Sequence, residues 1–167
     1  MDHFALEQDP MYQSFQAGTL HRNFMGYTAS KTQVMIGLGV SSISDSWYSF
    51  AQNEKNINDY YVSLEQEQIP VYHGHILSDE DLVIRKHILN LMCSFETSWS
   101  EPKMDFPELN DVLNQLNEMQ HDQLLVIGDE SIRVTEAGKP FVRNICMAFD
   151  LKLKRKMPES RIFSMTI

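Results

Sequence analysis

Histidine, arginine and aspartate side chains occur together in two short segments, and these residue types can move protons or bind carboxylates. His21 and Arg22 are adjacent, and Asp2 and His3 lie together near the start of the sequence. Histidine titrates near neutral pH and suits general acid–base catalysis. An arginine guanidinium can hold a carboxylate through two parallel hydrogen bonds. The pattern is compatible with proton transfer, with carboxylate binding, or with ordinary solvated side chains.

Two further patterns resemble metal sites but supply too few ligands. His73 and His75 are two residues apart, so in a strand both imidazoles point to the same face. No third ligand lies near them in sequence, and a closed metal site needs more than two. The two cysteines, Cys93 and Cys146, lie in apolar helical patterns and are expected to be buried small hydrophobic residues rather than a disulfide. Two distant cysteines cannot supply the closely spaced thiolates that an iron–sulfur cluster needs.

Glycine alternates with apolar residues in the segment Gly37-Leu38-Gly39. On a strand, one face would then carry no side chains, which is typical of a close approach by another backbone or a ligand. The segment does not fit the dinucleotide-binding fingerprint, because position 42 is serine and no convincing helix follows.

Composition excludes several classes of protein. A chain of 167 residues suits one domain, or one domain with a small appendage, and the net charge of −9 argues against a general nucleic-acid binder. No apolar run approaches the roughly 20 residues that span a membrane. The acidic N-terminus lacks a secretory pattern, so we expect a cytoplasmic protein. Basic residues near the C-terminus are expected to form a solvated helix end. They are Lys152, Lys154, Arg155, Lys156 and Arg161.

The elements that must position these residues fall into two parts. Residues 1–77 have strand–helix–strand character. The predicted elements are a short helix ending near Gly18, irregular chain over 19–27, a strand over 34–43, a loop over 47–53, a helix over 56–67 and a strand over 71–77. The strand over 34–43 reads VMIGLGVSSI and is apolar enough to be buried on both faces, as in a parallel sheet. It has too few strand partners in this chain.

Residues 78–167 predict a helix–helix–β-hairpin–helix arrangement. Ser78 is a suitable N-cap for the first helix, and the second covers about 107–120. A hairpin over 124–134 follows, and Thr135 is expected to cap the last helix. This order also describes a winged helix, but the candidate recognition helix at 107–120 contains no Lys or Arg. Phosphate should therefore repel it.

Several blocks in a fixed order resemble the oxygen-independent coproporphyrinogen III oxidase family of radical S-adenosylmethionine enzymes. The blocks are MDHFAL at the start, GTLHRNF and GYT within 18–28, GLGVSSIS at 37–44, AQN at 51–53, LVIRKHILNLMCSF at 82–95 and VRNICMAFD at 142–150. Ordered blocks are far more specific than one short motif, and the resemblance extends over nearly the whole chain.

The resemblance implies an α+β, mainly helical fold that forms only the C-terminal portion of a larger enzyme. Residues 1–77 would be the tail end of a partial TIM-like barrel, and residues 78–167 a helical C-terminal domain of winged-helix-like shape. The partners of the 34–43 strand would then belong to the preceding part of the barrel. A C-x-x-x-C-x-x-C loop in that part of the family's enzymes holds a [4Fe–4S] cluster.

The resemblance also assigns site residues. Ile43 matches a position that contacts a second S-adenosylmethionine, and Phe24 and Met25 match a pair beside the substrate pocket. Met25 stands where the family has glutamine, so a hydrogen-bonding amide is absent. Asp2 and His3 match a loop at the end of a barrel strand, where barrel active sites lie. Arg22 is inferred to bind a propionate of the anionic substrate.

The implied function is a share in the oxidative decarboxylation of coproporphyrinogen III to protoporphyrinogen IX in haem biosynthesis. The [4Fe–4S] cluster and S-adenosylmethionine belong to the parent enzyme, and we expect neither cofactor nor activity in this chain alone. The alternative is an autonomous haem-binding or winged-helix adaptor module, since residues 78–167 can close their own core. An exposed edge at 34–43 also predicts self-association.

Overall fold

The computed structural model describes residues 4–155, and these form an α+β protein. Asp2 and His3 lie outside the described residues. The chain divides into two compact units between Ser94 and Phe95. This division places the helix that begins at Asp79 in the first unit, whereas the sequence placed a domain boundary before Ser78. The domain assignment of 1–77 and 78–167 stays a prediction.

The first unit contains three helices and five short strands among its described residues. In chain order they are α1 (Pro10–Gln16), β1 (His21–Asn23), β2 (Gly26–Thr28), β3 (Ile43–Asp45), β4 (Ser49–Asn53), α2 (Ile57–Glu65), β5 (Val71–Ile76) and α3 (Asp79–Ser94). Strands β1 and β2 form an antiparallel hairpin, and β3, β4 and β5 form an antiparallel sheet in that order.

Polar caps explain where the helices of this unit begin. The Asp9 carboxylate accepts a hydrogen bond from the Met11 amide, and the Asn56 side chain accepts one from Asn58. At α3 the Ser78 hydroxyl accepts from the Asp81 amide at 3.2 Å, while the Asp81 carboxylate accepts from the Ser78 amide at 3.0 Å. The predictions of a helix before Gly18, of one within 56–67 and of the Ser78 cap are confirmed.

Three short strands lie where the sequence predicted irregular chain or a loop, so those predictions were wrong. The hairpin of β1 and β2 occupies 21–28, and β4 occupies most of 47–53. Three-residue strands are too short to show an alternating pattern. In β4 the burial is intermediate along most of the strand, so alternation is weak there too.

The predicted strand over 34–43 was also wrong in most of its length. Met35 bridges to Asp45 by exchanging backbone hydrogen bonds, and Ile43 begins β3, but the residues between them lie in no strand. Val34, Ile36 and Leu38 are 61%, 72% and 85% exposed. Gly39 and Ser41 have positive φ, which turns the chain out of the extended conformation. All named strand pairs in the described part of the chain are antiparallel, so no parallel ladder covers this segment there.

The second unit packs helices against a small antiparallel sheet. Its elements are β6 (Glu96–Ser98), a 3₁₀ turn (Pro102–Met104), α4 (Leu109–His121), β7 (Leu125–Ile127), β8 (Ser131–Val134), a 3₁₀ turn (Lys139–Phe141), α5 (Val142–Met147) and α6 (Leu151–Arg155). The sheet order is β6-β8-β7. Val112, Leu116, Ile132, Ile145 and Phe149 are almost completely buried. The predicted second helix and the hairpin are confirmed, while strand β6 was not foreseen.

The single last helix predicted from Thr135 was wrong, because the segment is divided. The Thr135 hydroxyl accepts a hydrogen bond from the Gly138 amide and closes a turn rather than a helix start. Pro140 then lies in a 3₁₀ turn, and α5 ends at Met147. A second turn follows, in which the Leu151 amide donates to the carbonyl of the buried Phe149. Within the described residues, no helix is long and apolar enough to cross a membrane.

Candidate functional site

An arginine on helix α3 holds strand β3 and the turn that follows it. Arg85 Nη2 lies 2.7 Å from Asp45 Oδ2, and Arg85 Nη1 donates to the Trp47 carbonyl at 2.9 Å. The other carboxylate oxygen of Asp45 accepts from the Trp47 amide at 2.9 Å. The side chains of Arg85 and Asp45 are only 14% and 9% exposed. Both carboxylate oxygens of Asp45 and both Nη atoms of Arg85 are therefore hydrogen-bonded, which offsets part of the cost of burying the pair.

Aromatic rings extend this arrangement to the hairpin of β1 and β2. The Arg85 guanidinium lies 4.5 Å from the Trp47 ring centre and 5.0 Å from that of Phe50. Phe50 in turn meets Phe24 edge-to-face, with ring centres 4.8 Å apart. Phe24, one of the residues assigned by resemblance, is therefore linked to Arg85 through a single ring.

The hairpin of β1 and β2 carries four of the residues singled out in the sequence. His21 and Arg22 lie in β1, and Phe24 and Met25 form the turn, where they are 50% and 81% exposed. The Asn23 side chain accepts from the Met25 amide and shapes that turn. Arg22 reaches over the Tyr27 ring at 5.8 Å.

A pocket of about 510 Å³ opens beside His21. Its lining includes His21, Lys31, Trp47, Lys86, Asn90 and Cys93, and no residue that lines it is acidic. Lys31 also lies 5.6 Å from the centre of the Trp47 ring. The sequence pointed to His21 but missed both lysines, because they lie ten and 65 residues further along the chain and belong to no local motif.

Burial and positive charge act on the titratable groups of this pocket. The pKa of His21 is lowered from 6.5, first because burial penalises the imidazolium and then because Lys31 and Arg85 repel it, with Asp45 opposing. Burial raises the pKa of the Cys93 thiol to about 11, although the nearby positive charge of Arg22 acts the other way. Near neutral pH the pocket therefore presents a neutral imidazole and a protonated thiol.

A buried asparagine organises the glycine segment beside Ile43. Asn53 Nδ2 donates to the carbonyls of Gly37 at 3.1 Å and Gly39 at 2.9 Å. A Cβ added at Gly37 would lie 2.7 Å from the Ile43 carbonyl oxygen, so only glycine fits there. Ile43 itself lies in β3 and pairs with Gln52. The segment is a fixed loop in which the backbone approaches Ile43 closely.

The remaining candidate ligands do not assemble a metal site. His73 and His75 both lie in exposed strand β5, and His75 Nε2 is 3.3 Å from Asp81 Oδ2. Across residues 4–155, no group of three or more His, Cys, Asp or Glu residues could hold a metal ion. Cys93 and Cys146, the two cysteines of the sequence, are both buried, and Cys93 favours the protonated thiol. These residues do not fit a [4Fe–4S] cluster, which needs several thiolates.

The chain is similar in sequence to a set of bacterial enzymes that all carry the same name. It is 34% identical to the oxygen-independent coproporphyrinogen III oxidase of Escherichia coli, in an alignment covering 93% of this chain and 35% of that enzyme. The corresponding oxidase of Synechocystis is 35% identical over the whole of this chain, and that of Pseudomonas aeruginosa is 36% identical over 90% of it. The chain spans about a third of the length of these curated relatives. No family model matches it.

A solved structure shows the same relationship in three dimensions. The structure of coproporphyrinogen III oxidase from Escherichia coli, described as a radical SAM enzyme, matches this chain with a TM-score of 0.83 at 34% identity. The match covers 92% of this chain and 36% of the solved chain.

Proposed function

Because the chain is homologous over nearly its whole length to about a third of the oxygen-independent coproporphyrinogen III oxidases, we propose that it is the C-terminal segment of such an enzyme. The whole enzyme would oxidatively decarboxylate coproporphyrinogen III to protoporphyrinogen IX in haem biosynthesis. The observation that carries the proposal is the structural match, with a TM-score of 0.83 over 92% of the chain. We also propose that the enzyme is cytoplasmic.

In this proposal the segment contributes side chains that hold the substrate. Arg22 binds a propionate carboxylate, for which a guanidinium offers two parallel donors. Phe24 and Met25 lie beside the substrate, and their exposure on the hairpin turn leaves both side chains free to contact it. Met25 contributes an apolar contact without a hydrogen bond. Asp2 and His3 would belong to the same region but lie outside the described residues.

One residue of this segment would contact a cofactor of the whole enzyme. Ile43 would contact a second S-adenosylmethionine, and the glycine loop that Asn53 holds packs closely against the Ile43 backbone and fixes its position. The radical that abstracts hydrogen in this family arises at the cluster, whose ligands are not supplied by the cysteines of this chain. The segment alone should therefore be inactive.

The finer fold assignment is part of the proposal. Residues 1–77 would form the end of a partial TIM-like barrel, and 78–167 a C-terminal domain of winged-helix-like shape. Support for the first comes from the exposed apolar side chains of Val34, Ile36 and Leu38, which suit burial against further chain. The same exposure supports self-association of the isolated chain. A single monomeric species in concentrated solution by light scattering would contradict that.

Anaerobic reconstitution tests the proposal that the cluster chemistry requires parts of the enzyme outside this segment. The purified chain and the full-length Escherichia coli oxidase, as positive control, are each incubated with iron, sulfide and a reductant, and S-adenosylmethionine is then added. We expect iron–sulfur absorption and S-adenosylmethionine cleavage from the control only. If this chain bound a cluster and cleaved S-adenosylmethionine, its radical chemistry would not require the rest of the proposed enzyme.

A second candidate is an autonomous haem-binding or winged-helix adaptor module. It is favoured by the second unit, whose sheet and helices enclose their own buried residues. Helix α4 contains no Lys or Arg, which argues against a role in DNA binding. Tight binding of haem or of duplex DNA by the isolated chain would support this candidate, and flat titrations with both would remove it.

A further inference from the structure

We propose that the pocket formed by His21, Lys31 and Lys86 binds one carboxylate of the tetrapyrrole, as a second carboxylate site beside Arg22. The inference rests on the proposed function and assigns two residues, Lys31 and Lys86, that neither the sequence motifs nor the resemblance identified. All residues that line this pocket belong to the first unit of the chain.

The charge of the pocket is opposite to that of the protein. Lys31 and Lys86 both line it, no acidic residue does, and the whole chain carries a net charge of −9. Neither lysine forms an ion pair with any residue in the described part of the chain. The Asp45 carboxylate nearby is already engaged by Arg85. Two unpaired ammonium groups in a concave site attract an anion.

His21 supplies an independent indication of a ligand. The residue is only 8% exposed and lines the pocket, yet its imidazole makes no hydrogen bond with the residues described. Its ring nitrogens are not among the fully buried polar atoms, so they remain accessible to a ligand in the pocket. Because its pKa is lowered, the ring is neutral near pH 7 and keeps one N–H donor for a carboxylate oxygen.

The walls of the pocket suit a carboxylate on a hydrocarbon arm. Leu20, Trp47 and Leu89 line it beside the cationic groups. The Trp47 ring is held by Arg85 at 4.5 Å, so the aromatic wall has a fixed position. A volume of about 510 Å³ is larger than one carboxylate arm needs and is within the range of ordinary ligand sites. A bare inorganic anion would leave the apolar walls unused.

Arg22 follows His21 directly in strand β1, so the guanidinium and the lysine pocket belong to the same part of the first unit. Arg22 is close enough to act on the pKa of Cys93, and Cys93 lines the pocket. A substrate that carries several propionates on one ring system can engage Arg22 with one arm and the lysine pocket with another. The pair of sites would select the orientation of the ring.

Coproporphyrin III, the stable porphyrin with the same propionates, is a suitable probe. The whole chain is titrated with it by porphyrin fluorescence, and the His21 imidazole is followed by NMR at high protein concentration to detect weak binding. We expect Lys31→Gln and Lys86→Gln each to weaken binding about tenfold. Lys103→Gln is the control, because it removes the same charge at an exposed position in the second unit. The methyl ester of the porphyrin has no free carboxylates, so the wild-type chain and the pocket variants should bind it with equal affinity.

The outcomes separate this proposal from the proposed function. Wild-type affinity in both pocket variants, with unchanged His21 resonances, would overturn the pocket assignment while porphyrin binding itself still supported the proposed function. A folded wild-type chain whose spectrum does not respond to coproporphyrin III at all would count against both. Inorganic phosphate that moves the His21 resonances as much as the porphyrin does would overturn the tetrapyrrole as the ligand.

Discussion

At the scale of single residues, the chemistry of the first unit depends on a few side chains whose surroundings change their properties. His21 is kept neutral by burial and by two cations, and Cys93 is kept protonated by burial. Near neutral pH neither group is in the charged state that proton donation by an imidazolium or attack by a thiolate requires. A neutral imidazole in a pocket that two lysines also line suits the carboxylate binding proposed above.

Stability should depend on pH through His21. Its folded-state pKa lies below the unfolded value of 6.5, so the unfolded chain binds more protons at mildly acidic pH. We expect the free energy of unfolding to be fully maintained above pH 6.5 and to fall as the pH drops below it. The His21→Gln variant should lack the part of this decrease in unfolding free energy that comes from protonation of His21. Urea denaturation at a series of pH values measures it, and an unchanged pH profile in the variant would contradict the assignment.

At the scale of elements, the Arg85–Asp45 pair joins helix α3 to the sheet of β3, β4 and β5. Both side chains are mostly buried, and the pair also fixes Trp47 by two hydrogen bonds. The edge-to-face rings of Phe50 and Phe24 continue the contact to the hairpin. These elements are individually too short to be stable alone, so this contact matters for the geometry of the site.

Removing Arg85 should destabilise the first unit strongly. Arg85→Met leaves the Asp45 carboxylate buried and unpaired, which costs about 3 kcal/mol of unfolding free energy. The double variant Arg85→Met with Asp45→Asn should recover much of this loss, because no buried charge remains. Chemical denaturation of the single and double variants measures both effects. Equal stability of Arg85→Met and the unchanged protein would show that the pair is unimportant.

Sequence reasoning succeeded where a local signal exists. Ser78 and Asn56 are polar caps with their own hydrogen bonds, so the helices that follow them were predictable. The three-residue strands had no usable period, and the apolar segment over 34–43 suggested a strand although Gly39 and Ser41 turn it. At the site, His21 and Arg22 were found as neighbours. Lys86 lies on a distant helix, and only folding brings it to the pocket, just as folding brings Arg85 of the same helix to Asp45.

At the scale of the molecule, two observations agree with a segment of a larger enzyme. The relatives are about three times as long as the part that this chain matches. Several large apolar side chains of the first unit are also more than 60% exposed, including Val34, Ile36, Leu38, Ile69 and Ile76. Exposed apolar side chains in such numbers are typical of surfaces that contact further protein.

The mass of the endogenous protein in its source cells tests most directly whether this chain is a segment of a larger enzyme. The protein would be detected with an antibody raised against this chain. We expect a species much larger than the 19.4 kDa of this sequence, in which the segment is joined to the cluster-binding part. A predominant species of 19.4 kDa, in extracts prepared with protease inhibitors, would contradict it. The function would then have to be sought in the ligands that this chain binds by itself.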